Sequence, residues 1–161
     1  MEIELVRGTR RRKYVEGTLV GDRLRVAFPS WMSLDEAQRT AEELRTRMQR
    51  RVAAARIDLP RRARWLARRH GLPEPGLVEW SHRQQHRWGS CTIDDRSIRV
   101  SARLASFPEW VLDYVLVHEL AHLAEADHGP RFRALVDRYP LAERARGFLI
   151  AKDLEPDTDP T

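Results

Sequence analysis

The residues His118-Glu119-Leu120-Ala121-His122 carry the clearest chemistry in this sequence. Residues four apart on a helix stand one turn above the other, so both imidazoles can converge on a single ion. Glu119 directly follows the first histidine and can reach a metal-activated water without binding the metal. This H-E-x-x-H spacing is that of zinc metallopeptidases. A tetrahedral site that does chemistry needs a third protein ligand and an open position. His128, six residues after His122 and followed by Gly129-Pro130, is the first candidate. Glu125, Asp127 or a residue of the last helix stand next in line. Without a metal, a buried histidine pair would leave ring nitrogens needing partners inside an apolar helix face.

Zinc held by three neutral imidazoles keeps its full charge and lowers the pKa of a bound water from about 15.7 to near 7. Glu119 would take the proton as general base and pass it to the leaving amine. Arg131 and Tyr114 are candidates for transition-state or substrate contacts. Tyr114 equally suits packing beneath the site, and Arg131 equally suits an ion pair with Asp127 or Asp137. The leading function is peptide-bond hydrolysis by a zinc metallopeptidase. The alternative is a zinc hydrolase of a nucleotide or other phosphoanhydride, with arginines gripping phosphate. The third class is a nucleic-acid-associated protein with structural zinc. An open coordination position beside an intact Glu119 argues against it, because structural sites are closed by four ligands.

The element that must position these groups is a helix from about Ser106 to Ala126. Ser106 and Glu109 have capping-box spacing, and Pro108 suits a first turn. Val111, Leu112, Val115, Leu116, Leu120 and Leu123 recur at helical spacing and predict an amphipathic helix driven into a core. The chain is expected to bend through Ala126-Asp127 and bring His128 back. Pro130 then opens a second helix with Phe132, Leu135, Val136 and Tyr139 inside.

Upstream, Glu2 to Arg7, Tyr14 to Val20 and Arg23 to Phe28 alternate as strands, the last two joined at Gly21-Asp22, and predict a small antiparallel sheet. Ser33 and Glu36 cap a helix to about Arg56, with Leu34, Ala37, Ala41, Leu44, Met48 and Val52 on its buried side. Pro60 starts a basic helix, anchored by Trp65 and Leu66, that Gly71 closes. His70 suits a favourable charge at its end. Leu77 to His82, Arg87 to Ile93 and Ser97 to Leu104 read as three further strands. The third leads into the metal helix and is the expected partner for an extended substrate backbone. His82 and His86 are expected to take structural or solvent-facing roles rather than to bind metal, and Trp88 and Cys91 to pack in the core. Leu141 to Lys152 reads as a final helix.

At 161 residues and 42% apolar composition, the chain can bury an adequate core. No apolar run suggests a membrane span or a secretory signal, and a single cysteine, Cys91, suits the cytoplasm. Residues 1–70 carry 18 Arg and Lys against 9 Asp and Glu, whereas residues 71–161 carry 11 against 15. The basic half, including Arg10 to Lys13, is a candidate nucleic-acid surface, weighed against ordinary solvated charge.

The whole chain resembles the YgjP-like family of small H-E-x-x-H proteins, which is related to the SprT-like metallopeptidases. The resemblance rests on Arg10 to Lys13, on Arg87-Trp88-Gly89-Ser90-Cys91, on Tyr114 through His122, and on His128-Gly129-Pro130-Arg131-Phe132. Family members usually carry Ser at the position of Gly129 and Asn at that of Asp127, and neither change touches a ligand. The resemblance implies an α+β, minimal zincin-like fold, zinc on His118, His122 and His128, and Glu119 as the catalytic carboxylate, and does not settle the substrate; the expected partner is a peptide or protein substrate. The expected organisation is an N-terminal antiparallel β segment (1–30), a zincin-like domain (31–153) and a disordered acidic tail (154–161), forming one compact unit overall.

Overall fold

Strand alternation at the start of the chain produces the first sheet. A computed structural model describes residues 1–9 and 13–154, so Arg10 to Arg12 and the acidic tail from residue 155 lie outside the described residues. Strands β1 (Glu2–Arg7), β2 (Glu16–Val20) and β3 (Arg23–Phe28) form one sheet in the order β1-β3-β2. The β2–β3 hairpin is antiparallel and turns at Gly21, whose φ of 61° is the left-handed conformation that glycine accepts without strain. β1 pairs with β3 in parallel, so the sheet is mixed rather than antiparallel. Alternation reports which face is buried and says nothing about strand direction.

Helix α1 (Leu34–Ala55) follows, and its capping box is formed: Ser33 N donates to Glu36 Oε2 at 3.0 Å and Glu36 N donates to Ser33 Oγ at 3.2 Å. Ala37 and Ala41 are buried, whereas Leu34 and Val52, expected on the buried side, are exposed. Leu24, Val26 and Ala41 form the core of this first unit, within residues 1–51.

The second compact unit lies within residues 52–156. It contains α2 (Leu59–His70), β4 (Val78–Ser81), β5 (Gly89–Thr92), β6 (Ser97–Ser101), a 3₁₀ turn (Ala102–Ser106), α3 (Glu109–His122), α4 (Pro130–Val136) and α5 (Ala142–Leu154). Asp58 caps α2 by accepting from Arg61 N, and Gly71 closes it in the left-handed conformation. Leu66 is fully buried, but Trp65 stands 54% exposed with Arg69 over its ring, so it does not anchor the core. His70 is half-buried against Tyr139, and burial lowers its pKa, opposing the helix-end charge expected from sequence.

The second sheet has the order β4-β6-β5, with β4 parallel and β5 antiparallel to the central β6. Both edges of β6 are therefore occupied, and the strand leading to the helix of His118 and His122 cannot take a substrate backbone. Among the described residues, β5 has no strand on its other side. The fold is α+β, with two mixed three-stranded sheets and five α-helices among the described residues. None of those helices is long and apolar enough to cross a membrane.

Candidate metal centre

α3 is buried nearly all round, from Val111 to Val117 and again from Glu119 to Ala121, rather than along one stripe. Leu112, Leu116 and Leu120 are almost inaccessible, and each such side chain contributes ~1.5–3 kcal/mol by burial. Packing, not capping, holds the helix. Ser106 Oγ donates to the Arg103 carbonyl at 2.9 Å, and Pro108 takes the N-cap position without a side-chain cap, so the expected capping box is not made.

The helix ends at His122, earlier than expected, and the chain turns at once. That turn returns His128 to the two helical histidines. His128 Nε2 lies 3.1 Å from His122 Nε2 and 3.3 Å from His118 Nε2. Three nitrogens bound tetrahedrally to one ion at 2.0–2.1 Å would be about 3.3 Å apart, so the spacing suits one small ion. His122 Nδ1 lies 3.1 Å from the Glu125 carbonyl oxygen. A carbonyl only accepts, so Nδ1 carries the proton and Nε2 keeps its lone pair toward the other imidazoles.

Beneath the cluster sits Phe132, the buried residue of α4 whose ring centroid is 4.4 Å from that of His122 and 4.8 Å from those of His118 and His128. This platform restricts all three imidazoles; in the sequence Phe132 reads as a helical apolar position and as the end of the His128 to Phe132 motif. Burial, then the charges of His122, His128 and Arg146, lowers the His118 pKa to about 4. Burial also lowers that of His122. Neutral imidazoles are the ligand form, so the donor set fits a metal ion.

Glu119 is 6% exposed on the adjoining face of α3. Burial raises its pKa to about 7, with the charge of Arg87 acting in the opposite direction. A carboxylate poised there exchanges protons readily near neutrality.

Beside His118 and His128 opens a cleft of about 430 Å³, lined also by Tyr114, Phe132, Arg133, Val136, Asp137, Glu143 and Arg146. Tyr114 is 7% exposed, with its ring edge-on to His118 at 6.1 Å. Arg131 is exposed and does not line this cleft. Arg146, from α5, was not singled out by its sequence; it hydrogen-bonds Glu143, and its guanidinium carbon lies 5.9 Å from the Tyr114 ring centre. His82 and His86 are exposed and outside the cluster. Trp88 packs against Phe107 at 5.5 Å. Half-buried Cys91 packs against the core, and burial raises its thiol pKa to about 11.

The sequence matches the family model described as YgjP-like, metallopeptidase domain, over residues 29–149. No curated protein matches it. Among solved structures, the chain is similar to the metallopeptidase zymogen jannalysin of Methanocaldococcus jannaschii, with a TM-score of 0.52 and 18% identity over 61% of this chain and 99% of that one. The corresponding values for the metallopeptidase zymogen abylysin of Pyrococcus abyssi are 0.49 and 24%, over 61% and 93%. The likeness to jannalysin is one of fold.

Proposed function

The chain belongs to the YgjP-like metallopeptidase domain family, and on that premise we propose that it is a zinc-dependent peptidase hydrolysing peptide bonds at His118, His122 and His128, with Glu119 as general base. The observation that carries this reading is the convergence of three imidazole Nε2 atoms, with the buried Glu119 directly following His118 in the chain. An all-imidazole tetrahedral set suits zinc and leaves one position open. Zinc bound there would supply a Lewis acid that polarises the scissile carbonyl and lowers the pKa of a water.

The protein's own groups supply the rest. Glu119 would accept the proton of the attacking water, hold it, and deliver it to the leaving amine as the C–N bond breaks. Tyr114 lines the cleft beside His118, so its hydroxyl would donate to the oxyanion of the tetrahedral intermediate. Arg131, exposed and away from the cleft, is not assigned that role. An extended peptide would pair with the edge of β5 that carries no strand among the described residues, on a strand that packs against α3, while one of its side chains enters the cleft. The cleft's Arg133 and Arg146 are matched by Asp137 and Glu143, a balance that favours a peptide over a phosphoanhydride. The family likewise implies a protein substrate and gives nucleic acid no support.

The test is Glu119→Gln in the zinc-loaded protein, assayed on casein and on a peptide library. Zinc content and thermal melt should be unchanged and hydrolysis should fall ~10²–10⁴-fold, the usual worth of a positioned general base. Full turnover by the zinc-loaded variant would overturn the mechanism. Cleavage of nucleoside triphosphates but of no peptide would replace the substrate class.

A further inference from the structure

Gly89 begins β5, where a glycine is normally a weakness because it packs nothing and loses much chain entropy on folding. Its backbone does not require glycine: the positive-φ glycines among the described residues are Gly21 and Gly71. The requirement is spatial. A Cβ on residue 89 would lie 2.6 Å from Oε1, 2.9 Å from Cγ and 3.0 Å from Cδ of Glu119. All three contacts fall on one side chain, and its carboxylate is the general base of the proposed reaction. By contrast, a Cβ at Gly17, also in a strand, would meet only leucine methyls at 3.3 and 3.4 Å, and one at Gly129 would meet nothing.

We propose that Gly89 is a positioning residue: its missing side chain leaves a slot between β5 and α3 that holds the carboxylate of Glu119, the residue that follows the ligand candidate His118. The slot lies on the strand that would pair with substrate in the proposed reaction, so it would fix where the base meets the bound backbone. Any side chain at 89 takes the space that the carboxylate occupies. The obstructing atoms belong to a flexible side chain, so an added methyl displaces the carboxylate and leaves the sheet and helix standing.

This inference rests on Glu119 being the base, and its test separates the two ideas. In the full-length protein, Gly89→Ala, Glu119→Ala and the double variant are compared with the parent for zinc affinity, thermal melting and peptide hydrolysis. Gly89→Ala should keep zinc and lose about a hundredfold or more in kcat with KM nearly unchanged, as expected for a misplaced base. Any fall in Tm caused by Gly89→Ala should disappear when Glu119 is already alanine, because the double-mutant cycle then has no carboxylate to displace. A Gly89→Ala enzyme as active as the parent, or an equal fall in Tm in both backgrounds, would overturn the proposal. If the parent cleaves no peptide, the peptidase reading fails, and the Tm coupling alone decides the slot.

Discussion

His122 directs its Nδ1 at the carbonyl oxygen of Glu125, 3.1 Å away, and thereby presents an unprotonated Nε2 to His118 and His128. One residue thus ends the helix, fixes its own tautomer and faces the third histidine. The residue delivered by that turn, His128, is the most exposed of the three and comes from a loop rather than from a packed helix. His128→Ala should therefore leave the fold intact while zinc affinity falls sharply, because a full ligand bond is lost. Zinc content by atomic absorption checks it; unchanged stoichiometry would move the third ligand elsewhere.

The metal-free protein should be sensitive to acid through His118. Its imidazole ordinarily titrates near 6.5, and burial lowers that to about 4 in the folded chain. Between those values the unfolded chain binds a proton that the folded chain does not, so stability falls as pH falls through this window. Thermal melts of zinc-free protein from pH 7 to pH 4 should show the decline. The His118 ring resonance, followed by NMR, should titrate near 4 and not near 6.5.

Arg62 and Asp113 join α2 to α3 by paired hydrogen bonds, Nε to Oδ1 at 2.5 Å and Nη2 to Oδ2 at 3.0 Å. Asp113 is 11% exposed at its side chain and Arg62 29%. Breaking a buried pair costs ~3–5 kcal/mol, and the partial exposure of Arg62 brings the expected loss for Asp113→Ala to about 2–3 kcal/mol. Urea unfolding measures it. Zinc stoichiometry in the surviving folded fraction should be unchanged, since neither residue touches the histidines.

The histidine cluster is legible in sequence because four-residue spacing on a helix is a local geometric fact, and His128 lies near in the chain. Helix boundaries set by local chemistry are legible too, as at Ser33 with Glu36 and at Gly71. What the sequence does not carry is the partner of a residue far along the chain. Gly89 stands in a recognisable motif, yet its reason is the Glu119 carboxylate. Asp113 looks like a polar interruption of an apolar run until Arg62 is brought against it. Trp65 falls on the exposed side of α2, where Arg69 lies over its ring, although its apolar character suggests a core anchor. The parallel pairing of β1 with β3, and of β4 with β6, also escapes alternation, since both directions bury the same face.

Arg146 provides the last prediction. It reaches the cleft from α5, and burial opposes its charge while hydrogen bonds to Tyr114 and Glu143 outweigh that effect and hold its pKa above the ordinary value. A guanidinium donating to the Tyr114 oxygen leaves the phenolic proton to be donated onward, which would orient Tyr114 for an oxyanion. The same cation contributes to lowering the His118 pKa, after burial and the neighbouring histidines. Arg146→Met keeps much of the side chain's bulk and removes the charge. It should retain zinc, lower kcat/KM by about tenfold, and add little further loss in a Tyr114→Phe background, because both changes remove one donor unit. In the metal-free protein it should also let His118 titrate at a higher pH than in the parent. A Tyr114→Phe enzyme with full turnover would remove Tyr114 from the reaction. Fully additive losses from the two changes would mean that Arg146 acts on substrate independently of that hydroxyl.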